Sequence, residues 1–240
     1  MAKLVFDIET VGENWDALDE TSQHMLTRWI EKESDGEDNY AARLAEVKDG
    51  LGFSPLTGSI VALGVYDCDR ERGTVFYQAG DPPVGGHKES EEGPIKFKPM
   101  SEREMLEQFW LGAKNYSEFI TFNGRSFDVP FMVVRSAING IKPSKDLLSN
   151  RYLGLQRNES KHVDLLDQLT FYGAVWRQKG SLHMWCRAFG IRSPKADGVD
   201  GDDVGRLFRE KRYLDIARYN VGDLYATAEL YKKWSEYIRQ

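Results

Sequence analysis

Two acids two positions apart, Asp7 and Glu9 in LVFDIET, open a set of residues whose chemistry points to metal and phosphate. Asp128 and Asp223 extend it, with Tyr219 four residues before the last acid. Carboxylates are hard oxygen donors suited to Mg²⁺ or Mn²⁺, and paired ions of this kind suit phosphodiester cleavage. On a strand, residues i and i+2 face the same side, so Asp7 and Glu9 project together. Two ionised carboxylates on a buried strand repel and lose hydration, and are expected to persist with a cation between them. On a helix, Tyr219 and Asp223 lie on one face about a turn apart. Taken singly, most have an ordinary explanation: a strand end for Glu9, a helix cap for Asp128, a core position for Tyr219. Asp7, set between Phe6 and Ile8, has no such excuse.

The elements that must position these residues are legible in outline. Lys3 to Ile8 reads as a central strand. Residues 12–57 turn helical and polar, an insertion between the first two strands that would serve as a flap. Ser59 to Tyr66 and Thr74 to Ala79 read as a hairpin, and 80–100, rich in Pro and Gly, as a mobile loop. Ser101 and Glu104 form a capping-box start for a helix over 102–115. Glu118 to Phe122 is a strand ended by the turn signal Asn123-Gly124. A helix follows Asp128, and His162 to Leu165 is a fifth short strand. Helical stretches follow near 164–172, 181–189, 202–210 and 212–239. The expectation is a single α/β domain over 1–240, with a mixed five-stranded sheet flanked by helices.

Composition bounds the partners. The chain has 240 residues, 41% hydrophobic and 29% charged, and no apolar run long enough for a bilayer. An N-terminal signal peptide is not expected, because Asp7 interrupts the apolar run. Two distant cysteines, Cys68 and Cys186, suit a reducing cytoplasm. The formal charge of −6 is uneven, since residues 1–50 carry 5 Lys/Arg against 13 Asp/Glu. Such a surface argues against tight non-specific duplex binding, though not against gripping a strand end. Arg125, Arg135, Lys142, Lys145 and Arg151 read first as solvated positions, with a phosphate track as the alternative. Asp164 and Asp167 read as loop anchors or helix starts, and His162 and His183 as structural.

Order and local spelling bind the acids into one pattern. D-x-E at Asp7-Ile8-Glu9, N-x-x-x-[FY]-D at Asn123 to Asp128, and Y-x-x-x-D at Tyr219 to Asp223 resemble the three motifs of the DEDD superfamily of 3′–5′ exonucleases. Tyr219 places the resemblance in the tyrosine subgroup, on a ribonuclease H-like fold. HVDLLDQL at 162–169, SLHMWCRAFGI at 181–191 and KADGVDGDDV at 195–204 look like a bacterial group related to the proofreading exonuclease of family B DNA polymerases. The resemblance implies hydrolysis with two ions, Mg²⁺ or Mn²⁺. Asp7, Glu9 and Asp223 would hold one, and Asp7 with Asp128 the other. Tyr219 would orient the attacking water, since a phenol of ordinary pKa, about 10, is a poor base at neutral pH. Thr10, Asn123 and Phe127 would meet the terminal nucleotide. The implied partner is the 3′ end of a single-stranded nucleic acid, DNA favoured over RNA. The alternatives are an exoribonuclease of the same subgroup and a catalytically silent nucleic-acid-binding module.

Overall fold

In the computed structural model, which describes residues 2–33, 37–80, 88–175, 180–193 and 201–239, the first strand β1 spans Lys3–Gly12. Its side chains alternate between two apolar layers, which is why it is central. Leu4, Phe6 and Ile8 pack with Met105, Phe109 and Phe131 on one face, while Val5 and Val11 join Leu224 and Ala228 on the other. β1 pairs antiparallel with β2 (Gly58–Asp67), which forms the expected hairpin with β3 (Arg72–Tyr77). On its other side β1 runs parallel to β6 (Glu118–Thr121), and β6 runs parallel to β7 (Lys161–Asp164).

The sheet is mixed, as expected, but among the described residues it has seven strands rather than five, in the order β4-β5-β3-β2-β1-β6-β7. The additional two come from the stretch expected to be a mobile loop. β5 (Ile95–Pro99) lies parallel to β3, and β4 (Ser90–Glu92) folds back on β5 through a turn at Gly93. In IKFKP, Ile95 and Phe97 are buried and their lysine neighbours face outward or sit half-buried, a period of two that the surrounding Pro and Gly obscure. Residues 81–87 of that stretch, and 195–200 of the segment 195–204, lie outside the described residues.

The insertion is helical as expected: α1 (Glu20–Glu33) and α2 (Glu37–Gly50), closed by a 3₁₀ turn at Leu51–Phe53. α3 (Glu102–Ala113) begins with the expected capping box of Ser101 and Glu104. It shares one face of the sheet with α4 (Asp128–Ile138). A short α5 (Leu165–Leu169), α6 (Leu182–Phe189), α7 (Val204–Arg209) and the long α8 (Tyr213–Tyr237) contribute to the layer on the other face. Beyond the C-terminal end of α8, Arg239 bonds both oxygens of buried Glu118 on β6, which also takes the hydroxyl of Tyr231. Among the described residues no helix is long and apolar enough to cross a membrane.

His162 is structural. Its Nδ1 donates to the Leu147 carbonyl oxygen at 3.0 Å, so its Nε2 accepts from the Thr121 hydroxyl at 2.8 Å. Burial holds its pKa down to about 3. The folded protein therefore keeps this ring neutral, whereas the unfolded chain takes up a proton below about 6.5. The contribution is fully present above that pH and is lost as pH falls from about 6.5 towards 3. Denaturant titrations at pH 7 and pH 5 are expected to show a smaller loss of stability for His162→Gln than for the native chain.

Candidate active site

The pairing of β1 explains why chemistry gathers near its C-terminal end. β6 matches β1 only from Lys3 to Val5, while β2 stays paired through Gly12. The β6-side edge of β1 is therefore open beyond Val5, at the crevice where the two neighbouring strands diverge. Asp128 fills that opening. It is the first residue of α4, not its cap, and its Oδ1 accepts the backbone N–H of Ile8 at 3.1 Å. The cap position is Phe127, with no side-chain capping bond.

From the opposite layer, α8 lays Asn220 and Asp223 toward the face of β1 that carries Asp7 and Glu9, with Tyr219 one turn before Asp223 and packed against the apolar layer on that side. Oxygen atoms of Asp7, Glu9 and Asp223 all lie within 4.8 Å of one another. Close approach is possible because Gly64 of β2 stands directly opposite Asp7. A β-carbon at Gly64 would fall 1.9 Å from Oδ1 of Asn220 and 2.7 Å from Cδ1 of Leu224. Asn220, fully buried, donates its amide to Oδ2 of Asp7 at 2.8 Å and also bonds Glu9. Among the described residues its own Oδ1 has no hydrogen-bond partner, and it faces Gly64.

The electrostatics are those of crowded carboxylates, Glu9 and Asp128 buried and Asp7 and Asp223 half-buried. Burial pushes the pKa of Asp7 well above the usual range, and Asp128, Asp223 and Glu9 push it further. Glu9 is also raised, by burial first and then by Asp223, with Asn220 opposing. Asp128 is raised to about 7, mainly by burial, with the N–H of Ile8 opposing. Such a cluster is costly without a cation. Its all-oxygen donor set fits a hard divalent ion, with Asp7, Glu9 and Asp223 as first holders and Asp128 across β1 from them.

The remaining expected residues lie around this cluster. Phe127 packs against Phe131 (ring centroids 5.5 Å apart) immediately before Asp128. The Thr10 hydroxyl donates to the Gly52 carbonyl at 2.7 Å, so it fastens the insertion to β1. Asn123 takes the positive φ of 63° that its turn requires. Its N–H and that of Arg125 donate to the two oxygens of Asp164, which also takes Leu166 N–H. Asp164 is thus both the loop anchor and the cap of α5. Arg125 and Arg135 are engaged internally, with the Leu147 and Leu148 carbonyls and with Glu102, rather than forming a phosphate track. A cavity of about 270 Å³ on another flank of α8, lined by Arg192, Arg218 and Tyr225 among others, includes none of the acids.

Sequence reasoning missed Asn220 and Gly64. A polar residue at the i+4 step between Ile216 and Leu224, both buried, was the available signal for Asn220. A glycine inside the apolar run VALGVY was the signal for a close approach.

Comparison with known proteins agrees with this geometry. A family model described as a predicted 3′–5′ exonuclease related to the exonuclease domain of PolB matches residues 91–238. The match takes in Asp128, Tyr219 and Asp223, and Asp7 and Glu9 precede it. No curated protein matches the chain. Among solved structures, the family B DNA polymerase of the hyperthermophilic archaeon Pyrobaculum calidifontis is similar in fold, with a TM-score of 0.57 at 18% identity. The likeness covers 98% of this chain and 24% of the polymerase, so the chain spans about a quarter of that protein's length. With well over half its length matched, on a ribonuclease H-like sheet, the chain belongs to the family of predicted 3′–5′ exonucleases related to the exonuclease domain of PolB.

Proposed function

We propose that residues 1–240 act as one metal-dependent exonuclease domain that digests single-stranded DNA from its 3′ end, releasing nucleoside 5′-monophosphates. The observation that carries this reading is the convergence of Asp7, Glu9 and Asp223 within 4.8 Å, with Asp128 reaching the same stretch of β1 from the other side. The four acids would hold two ions, Mg²⁺ or Mn²⁺. When bound, such ions neutralise charge on the scissile phosphate and make a water more acidic.

The chain's own groups do the rest. Tyr219, a turn from Asp223, orients the attacking water by its hydroxyl. A bond forms from the water oxygen to phosphorus as the bond from phosphorus to the 3′-oxygen breaks; the attacking water gives a proton to solvent and the leaving 3′-oxygen takes one from it. Asn220 holds Asp7 and Glu9 in place with its amide. Asp164 fixes the loop that carries Asn123 and leads to Asp128. Phe127, Asn123 and Thr10 border the terminal nucleotide, Thr10 through its backbone, since its hydroxyl proton is given to Gly52. DNA is preferred to RNA because the structure similar in fold is a DNA polymerase and the family is described as related to the exonuclease domain of PolB. The free thiols Cys68 and Cys186 support a cytoplasmic setting.

Single-stranded DNA, duplex DNA and RNA, each labelled at either end, test polarity and sugar preference together. Asp7→Ala is expected to slow digestion of a 3′-labelled strand about a thousandfold, since a metal-centred contribution of several kcal/mol converts at about 1.4 kcal/mol per tenfold. Digestion at the native rate by this variant would sink the assignment, and binding without any release would leave the silent module.

A further inference from the structure

Opposite Glu9 the sheet carries one residue too many. Glu9 pairs with Ala62 of β2 and Thr10 with Ile60, so Val61 stands between them without a partner, a β-bulge. The alternation of β2 breaks there. Val61 and Ala62, adjacent in sequence, both pack into the layer of α8, whereas Ile60 and Leu63 pack into the layer of α3 and α4. Side chains hold both backbone groups of Ile60. Its N–H donates to Oε1 of Glu102 at 2.8 Å, and its carbonyl accepts Nε2 of Gln78 at 2.7 Å.

Glu102, at the start of α3, is buried, and its carboxylate also takes Arg135 of α4. Nε of Arg135 donates to Oε1 at 2.9 Å and Nη2 to Oε2 at 2.7 Å, while the Asn139 amide reaches Oε2 at 3.3 Å. Nη1 of Arg135 donates to the Pro55 carbonyl at 3.2 Å, on the segment that returns from the insertion to β2. Arg135 stands two turns after Asp128, on the same face of α4. The helix is therefore fastened to the sheet twice. Asp128 ties it to Ile8 of β1, and Arg135 ties it through Glu102 to Ile60 of β2.

We infer, taking the acids as ion holders, that Glu102 is a positioning residue of the metal site. It fixes the bulge that aims Glu9 at Asp7 and, through Arg135, the helix that presents Asp128. Bulges beside active sites re-aim a side chain in this way. Glu102 acts through the β2 backbone and through Arg135, from the layer opposite to α8. A carboxylate suits the task because both its oxygens only accept. In Glu102→Gln the amide nitrogen would face two donors, Arg135 and Asn139, so the side chain must give up Arg135 or Ile60.

Calorimetric titration of the full chain with Mn²⁺, without nucleic acid, compares the native protein with Glu102→Gln, Gln78→Ala and Glu118→Gln. Glu118 is the control, a buried carboxylate held by Arg239 and Tyr231 and paired with Lys3 at the other end of β1. Glu102→Gln is expected to bind Mn²⁺ at least about tenfold more weakly, the lower end for loss of a group that orients metal ligands. The Mn²⁺ concentration for half-maximal digestion should rise by the same factor, with KM for a single strand unchanged. Glu118→Gln should melt lower than the native chain and bind Mn²⁺ equally well. Native affinity in Glu102→Gln, or equal weakening in Glu118→Gln, would mean that the pair serves stability alone and overturns the proposal. Should Glu102→Gln not fold, Gln78→Ala, which strands no charge, decides. Weaker Mn²⁺ binding then supports the role of the bulge, and native affinity refutes it. A native chain that binds Mn²⁺ but releases no nucleotide defeats the exonuclease reading while the affinities still decide the positioning role. A native chain that binds no Mn²⁺ defeats both.

Discussion

With divalent metal chelated, Asp7→Asn is expected to melt about 3–6 °C above the native chain, a gain of about 1–2 kcal/mol for a domain of this size. The reason is the crowding at β1. Asp7 is desolvated and sits among Asp128, Asp223 and Glu9, all of which oppose its charge. An amide there removes one repulsive charge and adds a donor that its carboxylate neighbours accept. Adding Mn²⁺ should reverse the order. A ligand that binds only the folded state, at a hundred times its dissociation constant, adds about 2.7 kcal/mol, and the native site should gain this while the variant gains little. Melting curves in chelator and in Mn²⁺ check both halves. A variant no more stable than the native chain in chelator would mean that the acids are not strained against one another. Equal metal-induced shifts would mean that Asp7 holds no ion.

Side-chain periodicity made most of the site's parts legible before their arrangement was known. The i, i+2 rule puts Asp7 and Glu9 on one face of β1, and the i, i+4 rule puts Tyr219 and Asp223 on one face of α8. Neither rule says that these two faces meet. That follows from α8 covering the face of β1 opposite to α3 and α4. Asn220 was illegible for the same reason, because its partner Asp7 is 213 positions away. Asp128 shows a local rule overruled by tertiary structure: an aspartate beside a helix start reads as a cap, but here the strand edge left open by β6 claims its carboxylate.

The two sheet edges show where local reading stops. β6 and β7 are four residues each; β6 is mostly apolar or β-branched, β7 is polar around Val163, and both end at strong turn or cap signals, Asn123-Gly124 and Asp164. β5 carries an equally good alternation but lies between Pro94 and Pro99, and only its pairing with β3 reveals it. β5 and β4 extend the sheet away from the acids. Their Glu92 receives Arg218, the neighbour of Tyr219 on α8, in an ion pair at 2.6 Å. The unexpected strands thus reach the outer side of the same helical turn that carries the site tyrosine.

Gly64→Ala is expected to be costly. The new carbon would lie 1.9 Å from Asn220 Oδ1 and 2.7 Å from Leu224 Cδ1, and both side chains are fully buried. Neither can swing into solvent, so α8 must lift from β2 or β2 must bend. Overpacking of this kind costs about 1–3 kcal/mol. The larger effect falls on activity. Asn220 is on the turn between Tyr219 and Asp223, so a displacement of α8 separates Asp223 from Asp7 and Glu9 together with the Asn220 amide. A misplacement of about 1 Å is enough to cost about a hundredfold in rate. Asn220→Ala removes the nearer clash but also the amide held by Asp7. The pair should therefore be non-additive in stability, with Gly64→Ala less damaging in the Asn220→Ala background by about 0.5–3 kcal/mol. Activity should stay low in both single variants and in the double. Denaturant melts of the four proteins measure the coupling, and a coupling of zero would show that Gly64 is not what lets α8 approach the acids.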